Sequence, residues 1–400
     1  MATIWNRSGA AISVAMLGFG TTKGLNLRAQ PHFLQSKMEA TLHRDLYIEP
    51  SWFAREREKI FLDQWTCVAR EEDLVAAGSY EAVKIAGESI IVVRGDDWKL
   101  RAFHNVCRHR GCELVDSTCN EQKRGQFLSN IRCPYHSWTY RLDGKLHHTP
   151  YMDVEKEKFG LHEITLDCWG GLVFVKAGRG TETLRDQLGP IPDRVARYPL
   201  DELGTGWRKE YAVAANWKVI LENYNECYHC AGVHPELCKI VPEFRRNGGS
   251  QLDWEAGIPQ KPGTNTFTRT GTTNRLPFPG LNDIERERHF GELVYPNLML
   301  SLSMDHVAMF ILWPRGPEET RIDCRLLFHP DAINHMDFDP ADAADFWDLV
   351  NLQDWNICER VQRGMHARPF RHGLYAPMED LSLDIRNYIA ARLGGELPTD

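Results

Sequence analysis

Two short runs, Cys107-Arg-His109-Arg-Gly111 and Cys133-Pro-Tyr-His136-Ser-Trp138, constrain this chain more than anything else in it. The 23 residues from Arg110 to Arg132 separate His109 from Cys133. Each run pairs one thiolate ligand with one imidazole. Two thiolates can hold one ferric ion of a 2Fe–2S cluster while two neutral imidazoles hold the other, and the neutral pair raises the reduction potential. Tetrahedral zinc accepts the same four side chains. Zinc modules, however, usually set Cys beside Cys and His beside His, whereas here each loop would serve both irons. Gly111 and Pro134 suit loops that wrap a cluster with backbone amides toward sulfur, and Asp143-Gly144 supplies a turn after the second loop.

A second constellation runs from Asn216-Trp-Lys through Glu222-Asn223-Tyr-Asn-Glu226-Cys-Tyr-His229 to His234-Pro-Glu. On one helix Glu226 and His229 share a face by the i, i+3 rule. His229 and His234 lie about 140° apart round an ideal helix, so they converge on one metal only where the helix ends or bulges, which Gly232 and Pro235 favour. Two histidines and one carboxylate on one face of Fe(II) leave positions open for O2 and substrate. The third ligand must then come from elsewhere. A lone H-x4-H pair is more often incidental, and Cys227, Cys230 and Cys238 around His229 offer a zinc knuckle as a competing reading.

Eleven cysteines, an odd number, cannot all pair within the chain, and several sit near histidines, so metal and a reducing, cytoplasmic compartment are expected. The formal net charge of −8 argues against a nucleic-acid partner. The apolar run from Gly9 to Gly20 is too short to span a bilayer, so no membrane association is expected. Residues 1–37 read as a flexible tail or a start assigned too early, with Met38 as the true beginning and a cleavable signal as the alternative.

Four hundred residues make roughly two domains. Glu39 to Phe61 has helical spacing, with Tyr47, Trp52, Phe53, Ile60 and Phe61 on one face. Short strands follow at 80–85, 89–94, 100–103 and 171–175, making a compact β domain. Beyond the turn at Gly178-Arg-Gly180 the pattern is mixed. It predicts a helix from Trp217 to Cys230, strands at 298–303, 307–313 and 321–328, and a helix from Pro340 through Gly364. Phe244 to Glu285 reads as a long loop or lid.

The two constellations together resemble the Rieske-type non-haem iron oxygenases, with their C-x-H-R-G and C-P-Y-H-x-W-x-Y loops and their N-W-K…E-N-Y-x-E-x-Y-H-x4-H-P-E run, over residues about 40 to 390. The resemblance implies an α+β chain divided into a helix packing on the catalytic domain (38–64), a β-rich Rieske domain (65–180) and an α+β catalytic domain with an antiparallel sheet (181–400). Cys107, His109, Cys133 and His136 would hold the cluster, and His229 and His234 a mononuclear Fe(II). Asp354 becomes the third iron ligand, with Asp345, Asp348 and Glu359 as neighbouring decoys. Glu226 and Asn223 are assigned as catalytic, Glu226 bridging an iron histidine to His136 of a neighbour across a head-to-tail homotrimer. Two features depart from the family: a longer interval between the loops, expected as a surface excursion over Ser117 to Gly125, and Ser137 in place of Gly or Ala.

Electrons would come from NAD(P)H through a separate flavin/iron-sulfur reductase or a ferredoxin, since no dinucleotide-binding loop is present here. O2 and a small organic molecule are the substrates. Glu226 is shared with the branch acting on choline, betaines and carnitine, so hydroxylation or N-demethylation of a quaternary or tertiary amine is the leading expectation. Tyr295, Phe310 and Trp313 are candidate faces for its cation. Hydroxylation or N/O-dealkylation of aromatic compounds is the alternative, and a Rieske electron carrier without oxygenase chemistry a more distant one.

Overall fold

The computed structural model describes residues 38–116, 122–250, 252–394 and 397–398. The tail expected over residues 1–37 lies outside them. The single helix expected over 39–61 is instead three pieces. Glu39–Ala40 is a strand paired antiparallel with Leu374–Tyr375. Helices then span Asp45–Ile48 and Pro50–Glu56, and a π-helical turn covers Arg57–Phe61. Pro50 explains the break: it forces Glu49 into the extended region (φ −85°, ψ 124°) and then opens a new helix as its first residue.

Thr66–Arg70, Leu172–Lys176, Glu163–Trp169, Leu100–His104, Glu88–Arg94, Ser79–Ile85 and Gln122–Gln126 form one antiparallel seven-stranded sheet in that spatial order. Asn130–Arg132, Thr139–Arg141 and Leu146–His148 form a smaller one. A core of Ile91, Val93, Phe103, Ile131, Trp138 and Tyr140 joins the two sheets and includes both Cys107 and Cys133. The excursion expected over Ser117 to Gly125 is in its second part an edge strand rather than a loop, because Ser79–Ile85 offers unpaired backbone groups there. Gly125 permits the pairing, since a Cβ would meet the Tyr80 hydroxyl at 2.6 Å.

Gly204–Val213, Glu319–Phe328, His306–Gly316, Leu298–Leu302, Arg288–Val294 and Ile258–Pro259 make an antiparallel six-stranded sheet. The helix Trp217–Tyr224 packs against Ala341–Met365, Asp380–Leu393 and the strand His306–Gly316. Among the contacts that tie this half to the half carrying the Cys/His loops are an amide pair and an ion pair. The Asn297 amide exchanges hydrogen bonds with the Cys67 backbone at 2.9 and 3.0 Å, and Arg325 meets Asp73 at 2.6 Å. No helix among the described residues is long and apolar enough to cross a membrane.

Candidate metal centres

The two Cys/His loops are built alike. Cys107 N–H donates to the Cys112 carbonyl and Gly111 N–H back to the Cys107 carbonyl; Cys133 N–H donates to the Trp138 carbonyl and Ser137 N–H to the Cys133 carbonyl. The fourth residue after each cysteine has a left-handed backbone, with φ of 71° at Gly111 and 58° at Ser137. That conformation suits glycine and costs serine something, and Ser137 Oγ is held at 2.8 Å by the Arg132 guanidinium. The loops bring His109 and His136 to a ring separation of 4.7 Å, with His109 stacked on Trp138 at 5.0 Å. Both sulfurs are buried, and burial pushes the Cys107 thiol up, helped by Cys133 beside it. His136 Nδ1 is buried with no hydrogen-bond partner. Two buried thiols beside two imidazoles, one with an unpaired nitrogen, form a donor set that fits a 2Fe–2S cluster with mixed ligation.

The second centre sits where a helix breaks. The helix expected from Trp217 to Cys230 stops at Tyr224 and resumes as Cys230–Val233. The break therefore precedes His229 rather than falling near Gly232, and Glu226 and His229 do not share a helix. The cause is local. Glu226 Oε2 accepts the backbone N–H groups of Tyr228 and His229, an alternative to helical bonding that holds the turn open. His229 and His234 then cap the two ends of the short helix.

His229 Nε2, His234 Nε2 and Asp354 Oδ1 form a triangle with edges of 3.2, 2.8 and 3.4 Å. Three mutually perpendicular ligands about 2.1 Å from a metal are roughly 3 Å apart. The outer ring nitrogens are taken: His229 Nδ1 meets Glu226 Oε1 at 2.5 Å and His234 Nδ1 meets Gln353 Oε1 at 2.8 Å. Each acceptor fixes its histidine with Nδ1 protonated, so both Nε2 lone pairs and a carboxylate face one point. Only a cation satisfies all three. The surroundings favour positive charge at this point: against the opposing effect of burial, hydrogen bonds with Asp354, Cys230 and Glu226 raise the His229 pKa well above the usual imidazole range, so a metal ion bound there would take the place of a proton on Nε2. Asp354 comes from the helix Ala341–Met365. On that helix Asp348 is held by Lys209 and Tyr211, Glu359 accepts from Ala214 N–H, and Asp345 is exposed. Asn223 Nδ2 comes no closer to the His229 ring than 3.4 Å, a long contact.

The segment before the break is anchored at its start. Asn216 caps the helix by accepting Lys218 N–H, and its amide donates to the carbonyls of Tyr47 and Pro317. The Trp217 indole and the Lys218 ammonium both donate to buried Glu56, at 2.8 and 2.6 Å. Gln353, unremarked in the sequence, ties His234 onward to Glu236 at 3.2 Å; its place next to Asp354 was the available signal.

A cavity of about 690 Å3, including its open mouth, lies over the triangle. Its walls include Phe244, Trp254, Phe267, His289 and Trp347. Tyr295, Phe310 and Trp313, expected to line it, do not. Tyr295 stacks on Tyr388 at 4.0 Å, Phe310 packs in the core between Tyr224 and Trp347, and Trp313 is buried. Alternation along a strand marks two faces but not which one a cavity meets. Trp254 and Phe267 come instead from the long segment between Phe244 and Glu285, which is largely irregular as expected.

Known proteins agree with this architecture. Residues 64–165 match the Rieske [2Fe-2S] domain and residues 200–395 the ring hydroxylating alpha subunit catalytic domain. The chain is 31% identical to the glycine betaine monooxygenase oxygenase subunit of Chromohalobacter salexigens, over 86% of this chain and 83% of that one. It is 29% identical to the carnitine monooxygenase oxygenase subunit of Escherichia coli K12, over 85% and 88%. The quaternary ammonium Rieske monooxygenase CntA with L-carnitine superposes with a TM-score of 0.70 at 25% identity, covering 89% and 96%. That family carries a Rieske cluster and a mononuclear iron and draws NAD(P)H electrons through a reductase. By this likeness the chain belongs to the Rieske-type non-haem iron oxygenases, as an oxygenase alpha subunit bearing both the cluster domain and the catalytic domain.

Proposed function

We propose that this chain is the terminal oxygenase of a system that oxidises an N-methyl group of a small methylated ammonium compound. Cys107, Cys133, His109 and His136 would hold the cluster, and His229, His234 and Asp354 the single iron. Bound there, these groups supply electron relay and O2 activation. The chain's own residues do the rest. Glu226 holds the Nδ1 proton of His229, Gln353 holds that of His234, and Asn223 lies against the His229 ring. Glu226 also borders a second, polar hollow with Ser250, Met378 and Asp380, at which His136 of a neighbouring copy would dock in a head-to-tail trimer. The reductase or ferredoxin would meet the exposed side of the cluster loops, in a reducing cytoplasm.

The observation that carries the substrate is the cavity wall. Aromatic rings from Phe244, Trp254, Phe267 and Trp347 surround a space whose ionisable groups are two carboxylates, three imidazoles, the Cys227 and Cys230 thiols and the Tyr224 phenol, with no lysine or arginine among the described lining residues. Such faces replace the hydration of a weakly hydrated cation. Gly291 leaves room for the Trp254 indole, which a Cβ there would meet at 3.3 Å. The relatives named for glycine betaine and carnitine support the same class. The balanced reaction consumes one O2, two electrons and two protons per N-methyl C–H bond, and yields one water and an N-hydroxymethyl group that collapses to formaldehyde and the demethylated amine. The test is O2 uptake with formaldehyde release from the holoenzyme, NADH and a surrogate reductase. Methylated ammonium compounds should drive both. Uptake driven only by neutral aromatic compounds contradicts the substrate class.

A further inference from the structure

Trp347 lines the cavity from the helix Ala341–Met365, and its indole N–H donates to His306 Nε2 at 2.9 Å. An indole nitrogen can only donate, so this imidazole nitrogen accepts and the ring carries its proton on Nδ1. Asp305 Oδ1 receives that proton at 3.0 Å. Neither the Asp305 nor the His306 side chain is exposed to solvent, and the two stand where the chain turns from the strand Leu298–Leu302 into His306–Gly316. A buried carboxylate is unfavourable unless its oxygens are bonded. The Thr266 hydroxyl also donates to Asp305 Oδ1, and Arg275 Nε meets Oδ2 at 2.8 Å while its terminal nitrogens hold Asp342 in the first turn of the Trp347 helix.

Thr266 immediately precedes Phe267, whose ring lies 5.5 Å from that of Trp347 at an interplanar angle of 85°. One carboxylate therefore fixes two adjoining pieces of the wall, Trp347 through His306 and Phe267 through Thr266. Trp347 also shares a helix with the iron triangle. It precedes Asp354 by two turns, about 10 Å along the axis, with Val350 between them on the same cavity-lining face. An indole attracts a cation within about 6 Å of its ring, so a methylated ammonium that turns one methyl group to the triangle lies within reach of Trp347. Resting on the ammonium reading above, we propose that His306, oriented by Asp305, is a positioning residue for the substrate: by holding the Trp347 indole it sets the wall that tells a methylated ammonium from a neutral molecule of the same shape.

Equilibrium binding to the anaerobic holoenzyme tests this with choline and glycine betaine, each beside its carbon analogue, in which a tert-butyl group replaces the trimethylammonium group. The pair that binds more tightly is followed through the variants. His306→Leu should weaken the ammonium about tenfold, as for the loss of one well-placed aromatic face, and its carbon analogue by less than about threefold. His306→Gln, whose amide can donate to Asp305 and accept from the indole, should bind both as the unmodified protein does. Trp347→Phe keeps a ring without the N–H; the ammonium should weaken about three- to tenfold, and adding His306→Leu should change little further, because the two residues act as one unit. Equal losses of ammonium and carbon analogue in His306→Leu, additive losses in the double variant, or unchanged ammonium binding in Trp347→Phe overturns the proposal and leaves the ammonium class standing. Carbon analogues that bind the unmodified protein as tightly as the ammonium compounds overturn the ammonium class itself. The Trp347→Phe measurement needs no change at His306, so a His306→Leu chain that fails to fold does not remove the test.

Discussion

The Lys218 ammonium meets the Glu56 carboxylate at 2.6 Å, and neither side chain is exposed to solvent. This buried pair fastens the helix Pro50–Glu56 to the first turn of the helix Trp217–Tyr224, which leads into the turn carrying His229. Burial alone pulls the Lys218 pKa down, and Glu56 holds it up.

Removing one partner strands a charge in the core. Glu56→Ala should cost about 3–5 kcal/mol, the range for breaking a buried pair, and also frees the Trp217 indole. The check is the urea midpoint at fixed pH. A shift no larger than that of an exposed Glu→Ala control contradicts the assignment.

Glu81 predicts a pH dependence. Burial pushes its pKa up to about 7, with Arg124 opposing and Asp73 adding to the rise. In the unfolded chain the group titrates near 4.5. Between those values the folded state holds a proton that the unfolded state has lost, so this group's contribution to stability falls as pH rises from about 4.5 to 7 and is level above. Glu81→Gln removes that slope. Relative to the unmodified protein, the variant should gain stability at pH 8 over pH 5, as read from denaturation midpoints. An equal difference at both pH values contradicts the shift.

Gln353→Leu keeps the side chain's size but removes the acceptor for His234 Nδ1. Iron affinity at the mononuclear site should fall about 10- to 100-fold, as for other lost supports of metal-bound histidines. The cluster's visible spectrum should not change. Iron titration separates this from a general loss of folding, and an unaltered affinity contradicts the assigned role.

Tyr140 is placed to tune a cluster held by Cys107. Its hydroxyl oxygen accepts Arg108 N–H at 3.0 Å and lies 3.2 Å from Cys107 Sγ; a metal-bound thiolate there has no proton to give, so the hydroxyl would be the donor. Hydrogen bonds to sulfur stabilise the reduced cluster. Tyr140→Phe should therefore lower the potential in a redox titration without loss of cluster. An unchanged or higher potential contradicts this geometry.

The metal chemistry was legible because ligand identity and spacing are properties of the chain itself. Cys107, His109, Cys133 and His136, which the fold brings together, stand out in the chain by residue type and mixed pairing, and the N-W-K to H-P-E run by its length. Strands rich in Val and Ile, such as Glu88–Arg94, were equally readable. What failed depended on contacts distant in sequence or on local competition for backbone protons. The break after Tyr224 follows from one carboxylate capturing two amides, which helical periodicity does not register. Gly204–Val213 and Arg288–Val294 carry too many charged residues to read as strands, yet pair because the sheet supplies neighbours. The cavity wall was misread because Phe310 and Trp313 are apolar and on strands, whereas Trp254 and Phe267 line the cavity from irregular chain.

The most direct test of the whole account is iron content, taken together with the electron paramagnetic resonance of the reduced protein. The unmodified chain should bind about three irons, two in the cluster and one at the triangle. Asp354→Ala should bind about two and keep the full Rieske signal, because the two centres share no ligand. An Asp354→Ala chain that retains the third iron, or that loses the Rieske signal while remaining folded, contradicts the assignment of two separate centres.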